Sequence, residues 1–252
     1  MFHRAFYRSF TFTVALIMGS APEALPQPPR GAVHVHTLLA PAAQPMSDLD
    51  HYVGNKLGGT WLYGVETGVM VTPTLSLGLS WERNASSSYQ EFFTGDIFLG
   101  TVGFANHSLE TSITDVTANA TLWVPRGRGF FVGAEAGAGI GQLTEALSYS
   151  DRSAQQFRYH GDWDRTGLVG GAYAGFRHAA SSGLLVLVKA GYKFRDMGRM
   201  DGQRVITAST FASDPPGVDP GPIKDSSGQE LRSNFSCLYF GLGLGFLLGR
   251  RR

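Results

Sequence analysis

From Gly59 onward, apolar and polar residues alternate with a period of two along most of the chain. In residues 60–71 (TWLYGVETGVMV), odd positions carry large apolar side chains and even positions carry many small or polar ones. The same alternation recurs in five further segments: residues 75–82, 115–124, 131–140, 184–195 and 237–248. Such alternation is typical of β-strands whose two faces meet different surroundings. Two weaker segments, at about 96–104 and 167–177, bring the number of predicted strands to eight.

The connections between these segments differ in length. Three are short turns, at residues 72–74, 125–129 and 178–183. Three longer ones cover about residues 84–95, 148–165 and 196–234 and are rich in turn-forming residues. The last is too long for an ordinary loop of a compact domain, so we expect it to be functional or disordered.

The two faces of the predicted strands decide what kind of β-protein this is. Eight amphipathic strands with hairpin connections favour an up-and-down barrel, which leaves no free edge. The less apolar faces carry Gly, Ser, Thr and isolated charges, which make a poor solvent-facing surface but suit a narrow interior. The other faces are aliphatic, with aromatic residues towards their ends, as in a lipid-facing surface. The sequence therefore predicts an all-β fold, an eight-stranded antiparallel transmembrane up-and-down β-barrel.

Composition agrees with this fold class and divides the chain into three parts. Charged residues make up only 16% of the 252 residues, and the net charge of +1 gives no basis for nucleic-acid binding. The single cysteine, Cys237, excludes an internal disulfide. Residues 1–21 have the basic, apolar and small-residue order of a signal peptide with an uncertain cleavage site. Residues 22–58 are predicted to be a proline-rich lead-in, and residues 59–252 the transmembrane β-barrel.

Charged residues on the predicted inner face form two groups of opposite sign. The acidic group precedes the basic group along the chain, so the two should occupy opposite arcs of one lumen: Glu66, Glu82, Asp115 and Glu135 against Arg177, Lys189, Lys193 and Arg195. Buried charges need partners, which favours a stabilising network of ion pairs. A narrow gated pore is the alternative.

The N-terminal segment, the alternating strands, the inward Gly and Glu residues and the final strand LYFGLGLGFLL resemble small outer-membrane β-barrel proteins of Gram-negative bacteria. The OmpA/OmpX and opacity-type surface proteins are the most similar, over about residues 59–248. Because members usually end on an aromatic residue, the resemblance implies that Phe246 is the signal read by the barrel-assembly machinery, although LLGRRR follows it. The turn at 72–74 is shorter than the outer loops of this family.

The resemblance implies a protein of the cell outer membrane whose partners are outer-membrane lipid, the assembly machinery and an extracellular or host ligand. We expect a monomer with a surface-interaction, adhesion or membrane-integrity role, exerted through its long outer loops. The loop at 148–165 contains aromatic and arginine residues, types enriched at interaction sites: Tyr149, Arg152, Phe157, Arg158, Tyr159 and Trp163. A narrow porin-like channel and a lipid-modifying enzyme are the alternatives.

Histidines give little support for an enzyme or a metal site. His107 and Ser108 are neighbours and should point to opposite faces of a strand. His178 and the nearby serines at 181 and 182 lie in a predicted tight turn without an acidic partner. His34 and His36 could bind a metal, but they fall in the predicted lead-in with no further ligands nearby. No catalytic residue, metal site or cofactor is therefore predicted.

Overall fold

A computed structural model describes residues 30–43, 60–94, 103–124, 129–151, 156–179, 183–210, 215–224 and 229–249. Within these residues the regular elements are all β-strands. They are β1 (Val33–Ala43), β2 (Thr60–Met70), β3 (Leu75–Thr94), β4 (Gly103–Trp123), β5 (Phe130–Asp151), β6 (Gln156–Ala179), β7 (Leu184–Arg199), β8 (Asp201–Ser209), β9 (Gly217–Pro222), β10 (Arg232–Asn234) and β11 (Cys237–Leu248). The described part of the chain contains no helix long and apolar enough to cross a bilayer.

Eight of these strands form a closed antiparallel ring, which confirms the predicted fold class. From β1 to β7, consecutive strands pair with each other, and β11 closes the ring between β7 and β1. Paired residues followed once around the ring from Val33 lead back to Ala43, at the other end of the same strand. This stagger requires the strands to tilt against the barrel axis, typically by about 35–45°.

The strand count was predicted correctly, but two of its members were wrong. Val33–Ala43 form β1, although the sequence analysis placed them in the lead-in. The weak strand predicted at 96–104 is not separate, because Gly103 and Phe104 begin β4, and residues 95–102 lie outside the described part. Histidines on the inner face and nearby prolines concealed the alternation of β1. With β1 in place, the short turn at 71–74 lies at the same end of the barrel as the start of β1.

The two ends of the barrel differ in the length of their connections. At one end, called here the short-turn end, β1 begins, β11 ends and the turn at 71–74 joins β2 to β3. At the other, the long-loop end, β3 to β6 continue far beyond the partners that β2 offers. We call the outer parts of β3 to β6, with β8 and β9 paired beside β6, the extended sheet.

Three of the predicted loops were wrong, because their described residues are largely β-strands of the extended sheet and its neighbours. Residues 84–94 are strand, not loop, and so are residues 148–151 and 156–165 of the predicted loop 148–165; residues 152–155 lie outside the described part of the chain. The segment 196–234 contains the end of β7 and the strands β8, β9 and β10 among its described residues. The outer faces of these strands are polar because they meet water, and composition alone does not separate such strands from loops.

The outer surface of the ring carries a continuous belt of exposed apolar residues, called here the apolar band. Near its middle, Leu79 is 58% exposed and Leu244 is 59% exposed. Aromatic residues mark both rims: Trp61, Tyr63, Trp81, Tyr192 and Phe194 towards the long-loop end, and Phe130, Phe176 and Phe246 towards the short-turn end. A band of this kind with aromatic rims is the outer surface of a transmembrane barrel.

Glycine on the inner face leaves room for larger side chains that cross the lumen. At Gly139, on β5, an added Cβ would lie 2.6 Å from a carboxylate oxygen of Asp115. The alternation of Gly with Ala, Val and Ile in residues 131–141 therefore places small residues where the lumen is crowded and larger ones on the apolar band.

Candidate functional site: the filled lumen and the outer groove

Lys193 lies at the centre of a buried cluster of charges in the middle of the lumen. Its ammonium is 2.5 Å from a carboxylate oxygen of Glu82, 3.0 Å from one of Glu135 and 3.7 Å from one of Asp115. The Lys193 side chain is fully buried. One cation thus lies within ion-pair distance of carboxylates from three different strands, β3, β4 and β5.

Two further ion pairs flank this cluster. Towards the long-loop end, Arg195 donates through Nε and Nη2 to Asp115, at 2.8 and 2.6 Å, and its Nη1 lies 3.1 Å from the Cys237 sulfur. Towards the short-turn end, Lys189 donates to Glu66 at 3.1 Å. The predicted opposition of acidic and basic arcs is therefore visible as direct contacts across the barrel.

Arg177 is buried in the same lumen but contacts an aromatic ring instead of a carboxylate. Its guanidinium lies 3.6 Å from the centre of the Trp123 ring. Trp123 in turn packs against Phe131, with ring centroids 4.9 Å apart, and Phe131 packs against Tyr173 at 6.3 Å. These aromatic residues fill the lumen at the short-turn end and leave a cavity of only about 10 Å³ beside them.

The long-loop end of the lumen is closed by apolar side chains that come mainly from the connection between β7 and β11. We call these residues the apolar plug: Met197, Met200, Ile223, Leu231 and Phe235. They pack against buried side chains of β4, β5 and β6: Leu109, Ile113, Leu143, Trp163 and Val169. Sequence reasoning missed the plug because its residues follow no regular period. The described lumen is thus filled by an apolar plug, a charge network and an aromatic layer, one above another.

A polar groove of about 770 Å³ lies on the outer face, at the root of the extended sheet. It starts where the apolar band stops, since Arg83 is the next outward residue after Trp81 and Gln142 is the next after Ile140. Its lining includes the carboxylates of Glu110, Asp162, Asp164 and Asp201 and the hydroxyls and amides of Ser87, Ser112, Thr144 and Gln203. Cross-strand hydrogen bonds hold this surface, among them Thr144 to Asp162 at 2.9 Å.

The predicted interaction residues do not form one exposed loop. Trp163 is buried against the apolar plug and donates its indole N–H to the Gly221 carbonyl at 3.2 Å. Tyr159 is also buried, Tyr149 and Phe157 are half-buried, and Arg158 is exposed. The sixth candidate, Arg152, lies outside the described residues. The prediction of a loop was wrong because these aromatics belong to strands, and two of them serve the core of the extended sheet.

The histidines considered for catalysis are now placed. His107 is buried, with Nε2 2.5 Å from a carboxylate oxygen of Glu145, while Ser108 lies on the opposite face of β4. The serines at 181 and 182 lie outside the described part of the chain. His34 and His36 both point into the lumen from β1, and Glu66 on β2 is their neighbour. The premise that no other ligand is close to them was wrong, because cross-strand pairing brings Glu66 next to them.

Two predictions concern the ends of the chain and stay predictions. Phe246 lies on β11 in the apolar band, 58% exposed, paired with Val35 on one side and Leu184 on the other. Nothing in its contacts tests the role of an assembly signal. The predicted signal peptide, residues 1–21, lies outside the described part of the chain.

Among known proteins, the chain is similar only to solved structures. No protein-family model matches the chain, and no curated protein matches it. Ail, the attachment invasion locus protein of Yersinia pestis, is 13% identical with a TM-score of 0.42, over 87% of this chain and 99% of Ail. A major outer membrane protein from Thermus thermophilus is 14% identical with a TM-score of 0.43, over 86% of this chain and 99% of that one.

CarO from Acinetobacter baumannii is 12% identical with a TM-score of 0.39, over 89% of this chain and 99% of CarO. Such proteins are small outer-membrane β-barrels of the kind that the sequence resembles. At TM-scores in this range, the fold of the chain rests on its own strand pairing.

Proposed function

We propose that the chain is a monomeric, non-conducting and non-enzymatic outer-membrane β-barrel that presents an interaction surface outside the cell. The observation that carries this proposal is the distribution of polarity: an exposed apolar band surrounds a lumen of buried ion pairs. A soluble barrel would have the reverse arrangement, because exposed apolar patches of this extent are rare on soluble monomers. The short-turn end would then face the periplasm and the extended sheet would face outward.

Heat-modifiability tests the membrane barrel directly. Outer-membrane fractions run on a denaturing gel without boiling should show a faster band, which boiling shifts to the position of the unfolded chain. A protein recovered in the soluble fraction with no shift on boiling would overturn the proposal and return the chain to the class of soluble barrels.

Closure of the lumen predicts that the folded protein does not conduct ions. The apolar plug, the charge network and the aromatic layer fill the described lumen, and the cavity beside the aromatic layer has a volume of only about 10 Å³, which is room for about one water molecule. Purified barrel inserted into planar bilayers should give no discrete conductance steps, while a general porin refolded in the same way gives them. Reproducible single-channel openings from heat-modifiable protein would favour the narrow channel instead.

The outer groove supports the interaction role. Its volume of about 770 Å³ lies within the range typical of ligand sites, roughly 300–1,000 Å³. Its lining is rich in hydroxyls, amides and carboxylates, which suits a ligand recognised by hydrogen bonds, such as a sugar chain at the cell surface. A role in membrane integrity uses the same surface, because the groove begins at the rim of the apolar band, where lipid headgroups with their sugars would lie.

Substitutions in the groove test this surface. On a glycan array, folded wild-type barrel should bind at least one class of sugar, and Asp164→Asn with Gln142→Ala should weaken that binding about tenfold or more, because hydrogen bonds to charged groups are lost. Val218→Ala is the control, since Val218 is 60% exposed on β9 and does not line the groove. An equal loss of sugar binding in the groove variant and in Val218→Ala would contradict a ligand site in the groove. So would sugar binding that the groove substitutions leave unchanged.

A further inference from the structure

The two histidines of β1 and one carboxylate of β2 meet on the inner wall near the short-turn end. His34 and His36 are two residues apart on one strand, so both side chains face the lumen, with 2% and 8% of their surface exposed. In the pairing of β1 with β2, His36 lies opposite Glu66, which is 6% exposed. Three residues of metal-ligating type thus converge at the edge of the charge network, where Glu66 also contacts Lys189.

Their ligand atoms lie close enough together that a small shift of the side chains would let all three contact one ion. One potential ligand atom from each of His34, His36 and Glu66 lies within 4.8 Å of the other two. The two imidazole rings are stacked, with centroids 5.6 Å apart and planes inclined by 17°, and Nε2 of His36 is 3.3 Å from a carboxylate oxygen of Glu66. Two imidazoles and one carboxylate form a ligand set that Zn²⁺ uses in proteins, with a fourth position left for water or another ligand.

We propose that His34, His36 and Glu66 bind a divalent transition-metal ion, with Zn²⁺ as the best match. Imidazole ligands favour zinc and its neighbours over magnesium or calcium, which prefer oxygen ligands. The cavity of about 10 Å³ bordered by the three side chains has room for the water that would complete the coordination.

The backbone around the site is arranged to hold His34 in place. Gly68 pairs with His34 across the strands, and a Cβ at that position would lie 2.6 Å from His34 Nε2. The glycine therefore leaves room for the imidazole to lie over β2. There Nε2 is 2.8 Å from the hydroxyl of Ser76 on β3. Each imidazole has two nitrogens, so one can bind a metal while the other keeps a hydrogen bond that orients the ring.

Two cationic side chains near the site lower its affinity for a divalent metal ion. Lys189 donates to Glu66 at 3.1 Å, and the Arg177 guanidinium borders the same cavity while lying over Trp123. Both repel a divalent ion, and Lys189 shares the only carboxylate of the ligand set. We therefore expect reversible binding that chelators remove without unfolding the barrel, unlike a structural zinc site.

Metal titration of the folded full-length barrel tests this site. Wild-type protein, refolded in lipid vesicles and stripped with a chelator, should take up one Zn²⁺ per chain in competition with a chromophoric chelator. Bound Co²⁺ should give the visible absorption of a low-symmetry nitrogen and oxygen site. His34→Gln and His36→Gln should each weaken binding about tenfold or more, and the double substitution should abolish it. His160→Gln is the control, because His160 is exposed on β6 beside Asp162.

Heat-modifiability of every variant shows whether the barrel has folded, so a loss of binding can be separated from misfolding. Failure of folded wild-type protein to bind Zn²⁺ stoichiometrically would overturn the proposal. So would binding that survives the double substitution, since the ion would then lie elsewhere. Neither result bears on whether the chain is a membrane barrel, which the gel shift decides independently.

Discussion

Lys193→Met should destabilise the folded barrel by about 3–5 kcal/mol, the cost of leaving buried charges without their partner. Lys193 lies within 4 Å of carboxylates from Glu82, Asp115 and Glu135 and has no exposed surface. Methionine has a similar length but no charge, so the substitution isolates the loss of the cation. Urea unfolding in lipid vesicles, followed by the heat-modifiable gel shift, measures the free energy of unfolding.

Two further variants make this result specific. Lys224→Met removes an exposed lysine outside the barrel and should change the free energy of unfolding by less than about 0.5 kcal/mol. The double variant Lys193→Met with Glu82→Gln also removes one of the carboxylates that have lost their cation. It should recover part of the lost free energy of unfolding. A loss below about 1 kcal/mol in Lys193→Met, as for an exposed ion pair, would show that water solvates these groups and that the lumen is open.

Leu79→Lys should destabilise the barrel in a bilayer by about 2–4 kcal/mol, the range for a charge at the lipid-facing midplane of a membrane barrel. Leu79 is 58% exposed near the middle of the apolar band. The same substitution on a water-exposed surface would be almost neutral. The matched control is Val218→Lys, because Val218 is 60% exposed but lies on β9, beyond the band. Unfolding in lipid vesicles compares the two.

Equal and small effects of the two substitutions would contradict a lipid-facing band. The comparison is informative because the side chains differ little in exposure, so only the surrounding medium separates them. Lysine substitutions near the rim of the band would show where the band ends. At Trp61 or Phe194, a charge should lower the free energy of unfolding less than at Leu79.

Alternation predicted which face of each strand would line the lumen, because a period of two allows only two choices and the apolar content of the faces differs. Glu66 and Lys189 were therefore placed in one lumen although 123 positions separate them. The partner of each charge could not be predicted, since this depends on the stagger of the ring. The same stagger brings Lys193 to Glu82 and leaves Arg177 over Trp123.

The features that sequence reasoning missed share one physical cause: they depend on contacts between segments and not on a local period. The apolar plug comes from a connection without regular alternation, where Met200 and Phe235 look like ordinary loop residues. The candidate metal site was missed because its histidines and its carboxylate are far apart in sequence and meet only through the pairing of β1 with β2. Tyr159 and Trp163 looked like loop residues because the polar outer face of a projecting strand has the composition of a loop.

The separation of lumen charges by sign also restricts how the barrel can enter a membrane. The acidic residues lie on β2 to β5, whereas Lys189, Lys193 and Arg195 all lie on β7, so each half of the chain alone would carry unpaired charges of one sign. Ions without partners are costly in hydrocarbon, and an open sheet adds unpaired backbone groups at its edges. Neither half is therefore a stable intermediate within the bilayer. Insertion and ring closure should occur as one coupled event, completed when β11 pairs with β1.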